Sequence, residues 1–155
     1  MNYIQESYIR VKSLEAGDWV AWGSQNRTTP VRKITQGHWE LRPADATANM
    51  YLALSACIGA GLLGLKNNEE LRWRDCSSWC SKLSDVERRD LGISTRLPST
   101  LREAVERLKE IDEGMREILG ASLVQRYIQL KEGEEERLGS KEMDEVRNMY
   151  LQRFC

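Results

Sequence analysis

Apolar and polar positions change rhythm along this chain. Up to about residue 43 the apolar residues come in short runs divided by turn formers. Asp18 to Gly23 is aromatic and β-prone, and Val31 to Ile34 and His38 to Leu41 follow it, separated by Pro30 and Gly37. These runs predict strands. From Asp45 to about Leu65 the pattern becomes almost wholly apolar, which predicts a buried helix starting at Asp45. The run Met50 to Leu65 is shorter than the ~20 residues a membrane-spanning helix needs. Gly59, Gly61 and Gly64 weaken that helix in isolation and allow other elements to pack close to it.

Lys66 to Leu97 shows little periodicity. Asp75, Cys76, Ser77 and Ser78 favour turns, and Ser84 to Leu91 predicts a short helix within a connection long enough to wrap a surface or serve a specific role. Helical spacing then dominates. Thr100 and Glu103 have capping-box spacing, and Leu101, Val105, Leu108, Met115 and Leu119 mark one face. Gly120 breaks the run. Leu123, Val124, Tyr127, Ile128 and Leu130 open another helix, closed by Gly139, and Ser140 is placed to cap a last one with Met143, Val146, Tyr150 and Phe154 inside. The acidic run Glu132 to Glu136 reads as a solvated helix face. The expected fold class is α+β, a few antiparallel strands (about 1–43) followed by a mostly helical part (about 45–155).

Composition narrows the class. A chain of 155 residues with 41% hydrophobic and 30% charged residues supports one folded domain rather than a disordered segment. A net charge of -1 argues against a general nucleic-acid binder. The first residues, MNYIQESYIRVK, lack the apolar core of a signal peptide, so no secretion or membrane association is expected and the predicted location is cytoplasmic. Cys57, Cys76, Cys80 and Cys155 are accordingly expected as free thiols. Cys76 and Cys80 would ligate zinc only with two more ligands, and the sole histidine, His38, is remote in sequence.

Candidate chemistry sits before the apolar helix. Arg10, Arg27, Arg32 and Arg42 fall on predicted strands and turns, where a guanidinium makes planar two-pronged contacts to carboxylate or phosphate. Surface ion pairing is the default for such residues taken singly. Glu40 and Arg42 are two apart on a strand, so they share a face, roughly 7 Å apart along the backbone.

The ordered series Ser7-Tyr8-Ile9-Arg10, Trp22-Gly23-Ser24-Gln25-Asn26-Arg27, Arg32, and Glu40-x-Arg42 leading to Asp45-x-x-x-Asn49 and an Ala/Leu/Gly helix resembles the C-terminal part of the glutamine synthetase catalytic domain. No single motif is specific, but the elements recur in order, and the match runs on through Leu97-Pro98 into the helices. The Trp-Gly and the lysine-free link before Glu40 look closer to the divergent glutamine synthetase-like group found in fungi. The resemblance implies an ATP-dependent ligase that joins glutamate to ammonia or another amine through γ-glutamyl phosphate, with Mg2+ or Mn2+. It implies that Arg10, Arg27 and Arg42 contact the glutamate, that Arg27 also lies near the transferred phosphoryl group as the catalytic arginine, that Arg32 helps to hold ATP, and that Glu40 ligates a metal. Glu15, followed by Ala16, matches a flap Glu-Ala of bacterial members with a one-residue gap. A homo-oligomer is also implied.

The chain departs from the pattern at several places. Val11-Lys12-Ser13-Leu14 replaces a common Pro-Gly, and His38 stands where an ATP-contacting arginine is frequent. The resemblance begins within the last third of such an enzyme. The metal carboxylates and histidine of the earlier part have no counterpart here, so the chain alone is expected to be inactive. The alternative expectation is a non-catalytic binding or scaffolding protein derived from the same fold.

Overall fold

A computed structural model describes residues 17–44 and 48–154. Three strands, β1 (Trp22–Ser24), β2 (Val31–Thr35) and β3 (His38–Leu41), form one sheet in the order β1-β2-β3. β2 and β3 form the expected antiparallel hairpin, turned at Gly37, whose φ of 76° lies where glycine carries no Cβ penalty. β1, however, pairs with β2 in parallel, with Trp22 opposite Val31 and Gly23 opposite Arg32. The sheet is therefore mixed rather than antiparallel throughout.

Parallel neighbours usually need a long crossover. Here a short loop makes the return because Asn26, buried at its apex, ties it down. Its Nδ2 donates to the carbonyls of Cys76 (2.6 Å) and Ser78 (2.9 Å), and its Oδ1 accepts from the Thr28 amide (2.9 Å) and hydroxyl (2.7 Å). The Thr29 hydroxyl, fully buried, donates within the same loop.

The 66–97 connection is the other half of this arrangement. It brackets β1: the Cys76 amide donates to the Trp22 carbonyl (3.0 Å), the Ser24 amide to the Asp75 carboxylate (2.7 Å), and the Trp22 indole to the Trp73 carbonyl (3.0 Å). Ala21, Cys76, Cys80 and Ile93 close a small core between them, with Trp19, Leu83 and Leu91 packed against it. The predicted short helix is present as α2 (Asp85–Asp90), with Ser84 and Glu87 in a reciprocal capping box.

The apolar helix α1 spans Met50–Lys66 and is capped by Asn49, whose side chain accepts from the Tyr51 and Leu52 amides. Asp45, the expected start, lies outside the described residues. The expectation of a buried helix does not hold: Tyr51, Ile58, Leu62 and Leu65 are 86%, 60%, 58% and 77% exposed, and Gly59 alone is buried. α1 packs on one side only. There Gly59 lets Ile118 approach so closely that a Cβ would lie 2.8 Å from its Cγ2. Gly61 and Gly64 meet nothing within 4 Å, so close packing is realised at one glycine of the three.

The first amphipathic run divides into α3 (Leu101–Lys109) and α4 (Glu113–Leu119), because Asp112 caps a new helix through the Gly114 amide. At the start of α3, Thr100 accepts from the Glu103 amide as expected, but Glu103 reaches one residue further back, to the Ser99 amide (2.7 Å). Gly120, at φ 86°, ends α4, and α5 (Ala121–Leu138) packs on α3 through Leu101, Val105 and Ile128. The acidic run of α5 is less solvated than expected. Lys109 pairs with Glu132 (2.7 Å), Arg102 with Glu135 (3.4 Å), and the buried Lys131 with Glu134 (2.6 Å). The last helix, α6 (Met143–Phe154), starts beyond the position that a Ser140 cap would give.

Candidate active site

The hairpin register sets the site. Antiparallel pairing places Arg32 of β2 opposite Glu40 of β3, and the two-residue period brings Arg42 to the same face. The Arg32 Nη1 lies 3.1 Å from the Glu40 Oε2, and the Arg42 Nη1 lies 3.6 Å from that same oxygen. The Arg42 amide donates to the Pro30 carbonyl (2.8 Å), which extends the hairpin one step and fixes the residue in line. Alternate residues face the other way. Lys33 lies over the Trp39 ring, Trp39 meets Trp22 edge-on at 5.6 Å, and Leu41 lines an apolar groove with Pro43, Asn49 and Tyr127.

One carboxylate lies between two guanidiniums on this face. The hydrogen bond from Arg32, followed by the charges of Arg32 and Arg42, holds the Glu40 carboxyl below the usual carboxylate range. Arg32 is mostly buried, and its Nε is buried without a hydrogen-bond partner. Two guanidiniums on one strand face suit a planar anionic group such as a carboxylate or phosphate. The same residues do not suit a metal ion by themselves. Glu40 is a single carboxylate already engaged by two arginines, and the described residues contain no cluster of three or more metal-ligating side chains.

Of the residues singled out in the sequence, the structure brings Arg32, Glu40 and Arg42 together. Arg27 sits exposed on the Asn26 loop and makes no ion pair among the described residues. Arg10 and Glu15 lie outside the described residues. Two neighbours carry more than their motif suggested. Gln25 accepts from the Arg32 Nη2 (2.8 Å) and donates to the Ile34 carbonyl, so it orients the guanidinium; Asn26 anchors the loop that presents Arg27. Gln25 does this from a left-handed backbone, φ 55°, which its residue type does not signal.

Residues 1–150 match the family described as glutamine synthetase, catalytic domain. The chain belongs to that family. The glutamine synthetase resemblance read from the Arg and Glu series is thereby borne out. Among relatives, Protein fluG of Emericella nidulans is 44% identical over 150 residues, covering 96% of this chain and 17% of that protein. The glutamine synthetase of Methanosarcina mazei is 35% identical over 138 residues, 86% of this chain and 30% of the enzyme. That of Staphylococcus epidermidis is 30% identical over 158 aligned residues, 99% of this chain and 35% of the enzyme. The chain thus spans about a third of these glutamine synthetases and a smaller share of Protein fluG. No helix among the described residues is long and apolar enough to cross a membrane.

Proposed function

We propose that these residues form the C-terminal part of a glutamine synthetase-like ligase catalytic domain, which amidates glutamate with ammonia or another amine at the expense of ATP. The observation that supports this reading is the Arg32–Glu40–Arg42 cluster, two guanidiniums held on one strand face by a shared carboxylate. In such a domain Arg32 and Arg27 would bind the phosphates, with Arg27 near the transferred phosphoryl group. Arg10, Glu15 and Arg42 would orient the glutamate, with Arg27 adding a contact. Preorganised guanidiniums favour charge that develops on a transferring phosphoryl oxygen because they need not reorient during the reaction. Glu40 holds two of them at a fixed spacing. Its assignment as a ligand of Mg2+ or Mn2+ requires further carboxylates from elsewhere in the domain, because one carboxylate does not make such a site.

The isolated chain is therefore expected not to turn over. Supplied with ATP, Mg2+ or Mn2+, glutamate and ammonia, it should release no more phosphate than its Glu40→Ala variant. Metal-dependent release well above that control would refute the reading. A second reading, a non-catalytic binding or scaffolding protein, has the exposed apolar face of α1 in its favour. Ligand binding without turnover in a complete catalytic context would select it.

A further inference from the structure

Cys76 and Cys80 are both buried, at 0% and 1% exposure, and their Sγ atoms lie 3.2 Å apart. A disulfide bond is about 2 Å long, so the two sulfurs need to close by only roughly 1 Å. The backbone at each is already held. The Cys76 amide donates to the Trp22 carbonyl (3.0 Å), and the Arg88 Nη1 donates to the Cys80 carbonyl (3.1 Å). Between them Ser77, Ser78 and Trp79 are exposed, as are Ser81 and Lys82 beyond, so this is a surface segment from which only the two cysteines are buried. We propose that Cys76 and Cys80 form a reversible dithiol–disulfide couple, and that its redox state sets how firmly the Asn26 loop is held.

Two buried thiols in contact are ordinarily core filler. Here two features go further. The Cys76 thiol donates to the Ser78 carbonyl (3.2 Å), so the hydrogen between the sulfurs comes from Cys80 and the sulfurs face each other directly. Both carbonyls that anchor Asn26, those of Cys76 (2.6 Å) and Ser78 (2.9 Å), belong to the segment that an S–S bond would close into a small ring. Oxidation therefore restrains the acceptors on which the loop hangs. That loop carries exposed Arg27, and Gln25, which holds the Arg32 guanidinium. Any effect on phosphate binding rests on the ligase reading of those arginines; the thiol chemistry does not. The oxidant is a low-molecular-weight disulfide. One cysteine thiolate attacks a sulfur of that disulfide, whose S–S bond breaks and releases one small thiolate. The second cysteine attacks the protein-bound sulfur and releases the other. The cysteines' two protons end on the departing thiolates, so two protein thiols become one disulfide and one small disulfide becomes two small thiols. Burial, then the hydrogen bond with Cys76, pushes the Cys80 thiol up to about 12, so exchange waits for the segment to open. The single 3-10 turn Cys80–Lys82 has no side-chain cap, which makes this the place where opening starts.

The test uses the 155-residue chain with Cys57→Ser and Cys155→Ser, so that only the pair can react. The chain is equilibrated with fixed ratios of reduced and oxidised glutathione, folded and in concentrated urea, then quenched in acid and read by mass spectrometry. At a given glutathione ratio, the ratio of internal disulfide to dithiol should be at least about tenfold higher in the folded chain. By linkage, the oxidised chain should then unfold at a higher urea concentration than the reduced one. Hydrogen exchange of a peptide containing Thr28, whose amide donates to the Asn26 Oδ1, should slow on oxidation. Cys80→Ala should lower the urea midpoint through lost packing and make it indifferent to the glutathione ratio. A disulfide no more stable in the folded chain than in urea would overturn the proposal, because the contact would then be packing alone. Recovery of mixed glutathione disulfides without an internal bond would do the same. Oxidation that leaves exchange at Thr28 unchanged would refute the link to the loop. None of these readouts uses turnover, so they stand or fall separately from the ligase reading.

Discussion

Replacing Asn26 by alanine tests the loop that the site depends on. The side chain is 8% exposed and makes four hydrogen bonds, at 2.6, 2.9, 2.9 and 2.7 Å. Each bond contributes on the order of 1 kcal/mol net, and a buried group left unpaired costs about 1–3 kcal/mol. The bond to the Cys76 carbonyl is buried, so that acceptor meets the full penalty. The Ser78 and Thr28 groups are partly buried, and water can replace some of what they lose. The sum is a destabilisation of about 2–4 kcal/mol, read as a shift in the urea midpoint at unchanged slope. Asn26→Asp is the sharper variant. It keeps the acceptor for Thr28 but directs a carboxylate at the Cys76 and Ser78 carbonyls, so it should be at least as damaging as alanine at neutral pH. The loop also carries Gln25, which holds Arg32, so local order at Arg32 should fall with the same substitution. Stability within about 0.5 kcal/mol of the parent for both variants would refute the account of the loop, since that is the range of ordinary surface changes.

Two further outcomes follow from the charges and the thiols. Glu40 titrates below the usual carboxylate range, so its ion pairs contribute stability that is complete above the unfolded value of about 4.3 and is lost as pH falls through the folded value. The stability difference between the parent and Glu40→Gln should therefore be largest near neutral pH and vanish in acid; a difference that grows on acidification would contradict the pairing. Burial pushes the Cys80 thiol up to about 12, while Cys57 is exposed. Brief alkylation of the folded protein near pH 8, read by peptide mass spectrometry, should label Cys57 and spare Cys76 and Cys80 until the chain unfolds. Equal labelling at all three would mean that the core around Ile93 is open.

The pairing of Glu40 with Arg42 was legible because its information is periodic. Glu40 and Arg42 share a face through strand alternation, readable from the sequence, whereas Arg32 joins them through an antiparallel register that shifts between Lys33 and Thr35 and that the sequence did not set. The parallel pairing of β1 was not legible. It depends on Asn26 reaching residues fifty positions away, at Cys76 and Ser78, and a long-range hydrogen bond leaves no local pattern. The same connection looked irregular because several of its hydrogen bonds reach far back in the chain, the Cys76 amide to the Trp22 carbonyl and the Leu97 amide to the Asp18 carbonyl among them. The error at α1 has a different origin. Apolar composition states that a helix belongs in a core, but not whether the chain in hand supplies every wall of that core. The split of α3 from α4 was a matter of competing signals: the apolar face continued across Asp112, and the cap at that residue prevailed.

The central claim is that the Arg32–Glu40–Arg42 face serves a ligase site. The direct measurement grafts this chain into the matching region of the Methanosarcina mazei glutamine synthetase and follows phosphate release with ATP, glutamate and ammonia. Arg42→Lys should lower the rate about a hundredfold or more, because a compact ammonium cannot replace a preorganised planar donor. Glu40→Ala should also lower it severely, because both guanidiniums lose the carboxylate that spaces them. Leu41→Val, on the opposite strand face at a half-exposed side chain, should change stability by less than about 1 kcal/mol and leave the rate nearly unchanged. Equal loss at all three positions in a folded graft, or none at Glu40 and Arg42, would contradict the claim.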